Sequence, residues 1–377
     1  MVSLPPLANR GAGLNDVMPS ALAALGVSGW ADSLTIGPAR HVVVLLIDGL
    51  GLMQLNEFEQ AAPFLSAEHG GVSPRESQGL IASIPTTTPV NLASLGVGAL
   101  PGAHGFVGAS FWLPDFESRL SPLRWGSVPS PVAVQPESTM FEIAERAGIR
   151  VTTISAGAYA ASGLTRSVLR GGEYVPSEDV DSRVADVRAT DQAAGSSLTY
   201  MYWADLDKIG HVYGVGSVQW VAGLRTVNQL AERVWMALGQ GAVLIVTADH
   251  GMVNTSPRSF PVIDEDRELM TDVTRIAGEP RARLIYTRAG SVDHVAACWR
   301  HVLGNRAEVL TRNQVVDRGL IGPVDPAYEG RLGDLLVLAH GDFALASRSD
   351  TRVSGLIGQH GSHTDAETRV PGLVVRR

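Results

Sequence analysis

Three apolar runs in this chain end in side chains that bind metal ions, and that pairing constrains the fold more than any other feature. His41-Val42-Val43-Val44-Leu45-Leu46-Ile47 is followed by Asp48-Gly49. Leu198-Thr199-Tyr200-Met201-Tyr202-Trp203 runs into Ala204-Asp205-Leu206-Asp207-Lys208-Ile209-Gly210-His211. Ala242–Val246 leads into Thr247-Ala248-Asp249-His250-Gly251. Short apolar runs of this kind read as strands buried on both faces, the pattern of a parallel sheet covered by helices. Parallel strands deliver their C-terminal ends to one edge of the sheet, which is where open α/β sheets place ligands. Singly, each end has a plainer reading: an Asp-Gly turn, a solvated loop, a polar turn. Together they place Asp48, Asp207 with His211, and Asp249 with His250 near one edge. Asp207 and His211 are four apart and can share one face of a helical turn.

Helical segments alternate with these strands. Met140–Ala147 is stopped by Gly148, Ser182–Ala193 follows, and Ser217–Leu238 carries Val227, Leu230, Ala231, Val234 and Leu238 at three- and four-residue steps. Val151–Ser155 and Leu335–Leu338 read as further strands. The expectation is an α/β fold, a mainly parallel central sheet with helices on both faces. Arg283–Tyr286, Val292–Val302 and Glu308–Leu310 read as strand, helix and strand, a small βαβ annex. Arg258–Pro280 is polar enough to be a surface excursion, and 109–136 looks irregular. At 377 residues, 45% hydrophobic and 18% charged, the chain can bury a large core. We read it as a single catalytic domain over 1–377, with the annex inserted at about 255–330.

Pro85-Thr86-Thr87-Thr88-Pro89-Val90-Asn91 sits just before a helix-like apolar run. Proline favours the first helical position, which would make Thr88 the N-cap, its hydroxyl at the positive end of the helix dipole. Such a place stabilises an alkoxide or a phosphate oxygen; the plainer reading is a capped helix in a threonine-rich loop. Adding His360, from Gly358-Gln359-His360-Gly361-Ser362-His363, gives three aspartates, three histidines and a hydroxyl. Seven such ligands suit two four-coordinate sites for divalent cations, zinc first, with manganese or iron as alternatives. His363 is an additional or alternative ligand. His104, in a glycine-rich loop, reads as a loop-fixing residue.

Ile47-Asp48-Gly49, Pro85-Thr86-Thr87-Thr88 with Asn91, His104-Gly105, Asp207-x-x-Gly210-His211, Ala248-Asp249-His250-Gly251-Met252 and His360-Gly361 follow one another over about residues 41–365. In this ordered set the chain resembles the alkaline phosphatase superfamily, in particular its type I phosphodiesterase/nucleotide pyrophosphatase branch. The resemblance implies a metal-bound threonine nucleophile, Thr88. It implies one metal held by Asp207, His211 and His360, and another by Asp48, Asp249, His250 and Thr88. Asn91 would bind a non-bridging phosphoryl oxygen. Two departures stand out. The family usually has Pro directly before Asn, whereas here Pro89 precedes Val90-Asn91. After His360-Gly361 the chain continues Ser362-His363-Thr364-Asp365 instead of the usual Asp-Asn. The implied activity is metal-dependent hydrolysis of phosphodiester or pyrophosphate bonds through a phosphothreonine. Alternatives on the same scaffold are a phosphomonoesterase or a phosphonate hydrolase, and outside it a non-catalytic metal-stabilised binding protein. A sulfatase is disfavoured because no Cys/Ser-x-Pro-x-Arg motif surrounds Thr88. Cofactor-independent phosphoglycerate mutase would need a larger insertion than the segment from Asn91 to Asp207.

The net charge of −8 offers no basic surface for a nucleic-acid polymer. The expected partner is a small-molecule phosphoester, reached through cations rather than basic side chains. Met1–Pro6 has no charged start followed by an apolar run, so no signal peptide is read. The longest apolar runs fall short of the ~20 residues that span a bilayer, and the cytoplasm is the expected location. The single cysteine, Cys298, precludes an internal disulfide and reads as a core residue of a helix. The pattern carries no signal for oligomeric state.

Overall fold

The computed structural model describes residues 11–67, 79–126, 130–256, 260–348 and 355–377; Met1–Pro6 and the start of the 258–280 excursion lie outside the described residues. Its centre is a six-stranded sheet. The strands are β1 (His41–Ile47), β2 (Arg150–Ser155), β3 (Glu173–Pro176), β4 (Ser197–Trp203), β5 (Ala242–Thr247) and β10 (Gly372–Arg376), in the order β10-β5-β1-β4-β2-β3. All pairings are parallel except β10 against β5. The three apolar runs are thus adjacent: Ile47 pairs with Trp203 and Leu46 with Thr247. Every residue of β1 and β5 is buried, as continuous Val/Ile/Leu runs require when helices cover both faces.

Several helix starts have a side-chain cap. Helix α2 (Met140–Arg146) opens on a capping box between Thr139 and Glu142. Asp179 caps α3 (Val180–Gln192), and Ser217 caps α5 (Val218–Ala237). Helix α4 (Asp205–Tyr213) follows β4 directly and carries both Asp207 and His211. In helix α1 (Thr88–Val97), extended backbone makes Thr87 the N-cap. Thr88 is therefore the first helical residue and Pro89 the second, one place on from the sequence reading. Proline lacks an N–H that any first-turn position would leave unpaired, so it marks the turn rather than the residue.

A second sheet corrects the annex. It contains β6 (Val273–Glu279), β7 (Ala282–Thr287), β8 (Ala307–Thr311) and β9 (Leu335–Ala339), ordered β6-β7-β9-β8 and antiparallel throughout. The expected β-α-β unit is present as β7, α6 (Val292–Leu303) and β8, but β9 separates the two strands. Leu335–Ala339 therefore belongs here and not to the central sheet, whose last strand is the C-terminal β10. Val273–Glu279 is a strand where a polar excursion was expected. Alternation explains both. Leu284, Leu336 and Leu338 face the main core. Ile285, Leu335 and Val337 pack under α6 with Val295, Trp299 and Leu303. With both faces covered, β9 has the apolar run of a central strand. Within 109–136, Phe111–Leu113 and Ser118–Leu120 form a short hairpin.

Cys298 is on α6 but half-buried, its thiol against the Glu268 carbonyl, while the adjacent Trp299 takes the core position. Among the described residues no helix is long and apolar enough to cross a membrane.

Candidate metal centre and active site

The C-terminal ends of β1, β4 and β5 bring the sequence-identified aspartates and histidines into one cluster. Asp48 follows β1 directly. Gly49 then turns with φ +76°, and a Cβ there would stand 3.0 Å from Asp207, so glycine lets α4 approach. Asp207, His211 and His360 offer donor atoms within 4.8 Å of one another, and so do Asp48, Asp249 and His250. His211 Nε2 lies 3.4 Å from Asp207 and His360 Nε2 4.0 Å from it. His250 Nε2 is 3.5 Å from both Asp48 and Asp249. Thr88 Oγ1 stands 3.3 Å from His250 Nε2, at the start of α1. The His250 and His360 rings stack at 3.7 Å, so the two groups adjoin.

All three imidazoles are oriented alike. The Nδ1 of His211, His250 and His360 faces the backbone carbonyl of Gly358, Gly251 and Thr86, at 2.7, 3.1 and 2.8 Å. A Nδ1–H held by a carbonyl leaves the Nε2 lone pair directed inward, as in metal-binding histidines whose other nitrogen is fixed by a backbone oxygen. The carboxylates are unbalanced without cations. Buried oxygens of Asp48 (Oδ1), Asp207 (Oδ1) and Asp249 (Oδ2) have no hydrogen-bond partner. Burial, then the Asp249 and Asp207 charges, push the Asp48 carboxyl well above its usual range. Burial also raises Asp249, with Asp207 adding to it, and drives His360 well below the usual imidazole value, helped by its two histidine neighbours. Orphaned carboxylate oxygens and inward-facing imidazole nitrogens around a small space are a donor set that fits divalent cations.

The three threonines have separate contacts. Thr86 Oγ1 donates to the Ser362 carbonyl and accepts from the Gly361 N–H, lacing the loop to the His360 segment. Thr87 lies beside the carboxyl of Glu279. Thr88 faces the cluster. Asn91 does not face it. Its Oδ1 accepts from the Ser83 N–H at 2.7 Å, and its amide donates to the Ser83 and Thr87 carbonyls. These bonds staple Asn91 to the loop backbone, since it lies one helical turn past Thr87 with its side chain folded back over the loop. His104 is likewise fully engaged. It accepts from Phe106 N–H and bonds Ser94 Oγ at 3.0 Å, which in turn meets Ser83 Oγ. Burial, then the Arg331 charge, lower its pKa to about 3, so the ring is neutral.

A family pattern described as type I phosphodiesterase / nucleotide pyrophosphatase matches residues 42–363. The chain belongs to this family. It is accordingly a hydrolase of the phosphodiesterase/nucleotide pyrophosphatase type, within the alkaline phosphatase superfamily. No curated protein matches it. Among solved structures, murine ectonucleotide pyrophosphatase/phosphodiesterase 5 is similar at a TM-score of 0.69 and 20% identity, over 89% of this chain and 88% of that one. The same murine protein as an inactive threonine-to-alanine variant in complex with AMP gives 0.69 and 20%, over 89% and 87%. The human protein gives 0.69 and 19%, over 89% and 87%. These likenesses fix the shared fold.

In this family member, a pocket of about 350 Å³ opens beside Thr88, Asp48 and Asp207. Tyr159, Tyr174, Tyr200, Tyr202, Leu123 and Leu164 line it, with Lys208 as its one lysine or arginine among the described residues. Tyr202, at the end of β4, donates a short hydrogen bond to Asp48 Oδ2. Glu279, from the second sheet, stands 3.8 Å behind His360 Nδ1; a Cβ on Gly361, at φ +127°, would meet it at 2.9 Å. Sequence reading missed both. Tyr202 sits at an ordinary strand position, although its place three residues before Asp-Leu-Asp marks it as close to the edge. Glu279 closes a stretch that gave no strand signal.

Proposed function

We propose that the chain hydrolyses phosphodiester or pyrophosphate bonds of small organic phosphates with Thr88 as nucleophile, through a covalent phosphothreonine. The observation that carries this reading is the Thr88 hydroxyl, held at a helix start between two imidazole–carboxylate groups and open to a pocket with room for an organic arm. Asp207, His211 and His360 would hold one divalent cation, and Asp48, Asp249, His250 and Thr88 another. The mixed donors suit zinc, with manganese or iron as alternatives. When bound, such cations lower the pKa of a hydroxyl or water and neutralise charge on attacking and leaving oxygens.

Thr88 Oγ gives up its proton and forms the new bond to phosphorus, and the leaving alcohol or phosphate departs with the electron pair of the broken P–O bond and takes up that proton. The phosphothreonine keeps the second organic arm of the substrate. Water then attacks phosphorus, releases the phosphate monoester and returns the proton to Thr88. Free first-turn N–H groups of α1 face the negative charge that develops. Tyr202 holds Asp48 in place, and Thr86 and Thr87 fix the loop on which Thr88 is presented. The tyrosine-lined wall favours a flat or apolar substituent on the retained arm. With a single lysine there, a diester monoanion suits the pocket better than a monoester dianion.

Turnover of bis-p-nitrophenyl phosphate set against p-nitrophenyl phosphate, with and without chelator, tests the reading. We expect the diester to be preferred, chelation to abolish turnover, and added zinc or manganese to restore it. Thr88→Ala should stay folded, keep its cations and lose on the order of a thousandfold or more in kcat/KM. Near-normal turnover in Thr88→Ala rules out this nucleophile. Preference for the monoester favours a phosphomonoesterase, and no turnover of either with metals bound favours a binding protein.

A further inference from the structure

A second group of metal-binding side chains lies away from the pocket, where the second sheet meets the segment that carries His360. Glu308 is on the edge strand β8, His340 follows β9 directly, and His363 lies three residues beyond His360. Their donor atoms fall within 4.8 Å of one another, and all three residues are half-buried. This group shares no residue with the two groups around Thr88.

Hydrogen bonds fix which atoms face inward. His340 Nδ1 lies 3.0 Å from the Asn305 carbonyl, so Nδ1 carries the hydrogen and Nε2 is left as a lone pair. Ser362 Oγ donates its hydrogen to the Ala339 carbonyl. It can then only accept from His363 Nδ1, 3.4 Å away, which leaves His363 Nε2 a lone pair as well. That Nε2 faces Glu308 Oε2 at 3.6 Å, too long for a hydrogen bond and a length that two ligands of one cation commonly span. The other carboxylate oxygen, Oε1, is taken by Arg318 at 2.6 Å, which orients Glu308 and leaves Oε2 free.

We propose that Glu308, His340 and His363 form a further divalent-cation site, of the zinc class, that fastens the edge of the second sheet to the loop bearing His360. Two imidazoles and one carboxylate are the zinc donor set, and the half-open position leaves water as the remaining ligand. Its role is to position: occupancy ties β8 and β9 to residues 360–363 and thereby restrains one ligand of the centre beside Thr88.

The test is an anomalous-difference map at the zinc edge for crystals of the full chain grown with millimolar zinc, beside equilibrium dialysis of the same protein. A peak between Glu308, His340 and His363 is expected. His340→Ala should lose that peak and bind one zinc equivalent fewer, while the peaks beside Thr88 remain. His363→Gln should do the same, and both variants should lose the part of the zinc-induced rise in Tm that this site supplies. No peak there in the unaltered chain, or an unchanged zinc equivalence in both variants, overturns the proposal. Absence of the peaks beside Thr88 would instead speak against the proposed catalytic centre, and the two failures are read at different positions of one map.

Discussion

Three adjacent threonines divide the work of presenting one hydroxyl. Thr86 is spent on Gly361 and Ser362, Thr87 lies beside Glu279, and only Thr88 is left facing the cluster. Asn91 completes the arrangement from behind, since its amide holds Ser83 and Thr87 by their backbone groups. Asn91→Ala would leave the Ser83 N–H buried without an acceptor, a cost of about 1–3 kcal/mol. Urea denaturation should show that loss of stability, and kcat should fall only as far as the loop loosens. Unchanged stability with a large fall in kcat would contradict the staple and return Asn91 to the phosphoryl group. The motif spacing of Thr88 and Asn91 was legible in the chain, but not the direction of the side chain. The shifted proline, Pro89 in place of a proline before Asn91, was the one sign that the turn differs.

Helix starts and strand ends place the candidate ligands, and one ion pair ties the second sheet to the segment that leads into β10. Arg281, in the turn between β6 and β7, meets Glu367 with Nε–Oε1 at 2.7 Å and Nη2–Oε2 at 2.9 Å, both side chains fully buried. Glu367 also accepts from Ser362 N–H and Thr364. Burial opposes its charge, yet the Arg281 guanidinium and these donors hold the carboxyl below its ordinary 4.5. A depressed folded-state pKa stabilises the fold above the unfolded value, and the contribution is lost as pH falls through the folded one. Urea midpoints should therefore lack this component's pH dependence above about 5 and decline below about 4.5. Glu367→Gln should cost about 3–5 kcal/mol near neutrality, because it leaves Arg281 buried and unpaired, and should flatten that acid limb. An equal acid limb in the variant would contradict the assignment. No pattern in the chain announced this pair. Arg281 and Glu367 are far apart in sequence and sit in short irregular segments.

For the molecule as a whole, the central sheet was legible because β1, β4 and β5 are continuous apolar runs, and continuity follows directly from burial on two faces. The same rule made Leu335–Leu338 legible as a strand but not its sheet: it is buried on both faces, by the main core and by α6, in a different, antiparallel sheet. Periodicity reports cover, not the sheet a strand joins. The candidate ligands were legible for a related reason: parallel strands gather their C-terminal ends whatever the loops do. Tyr202, Glu279 and the Glu308–His340–His363 group were not, since each depends on packing between segments that carry no shared spacing. The proposed chemistry consists of two successive displacements at phosphorus, the first by Thr88. Hydrolysis of a phosphorothioate diester of one handedness in oxygen-labelled water reads this out directly. Two in-line steps predict net retention of configuration at phosphorus. Inversion would mean a single attack by water, and would contradict the nucleophilic role of Thr88.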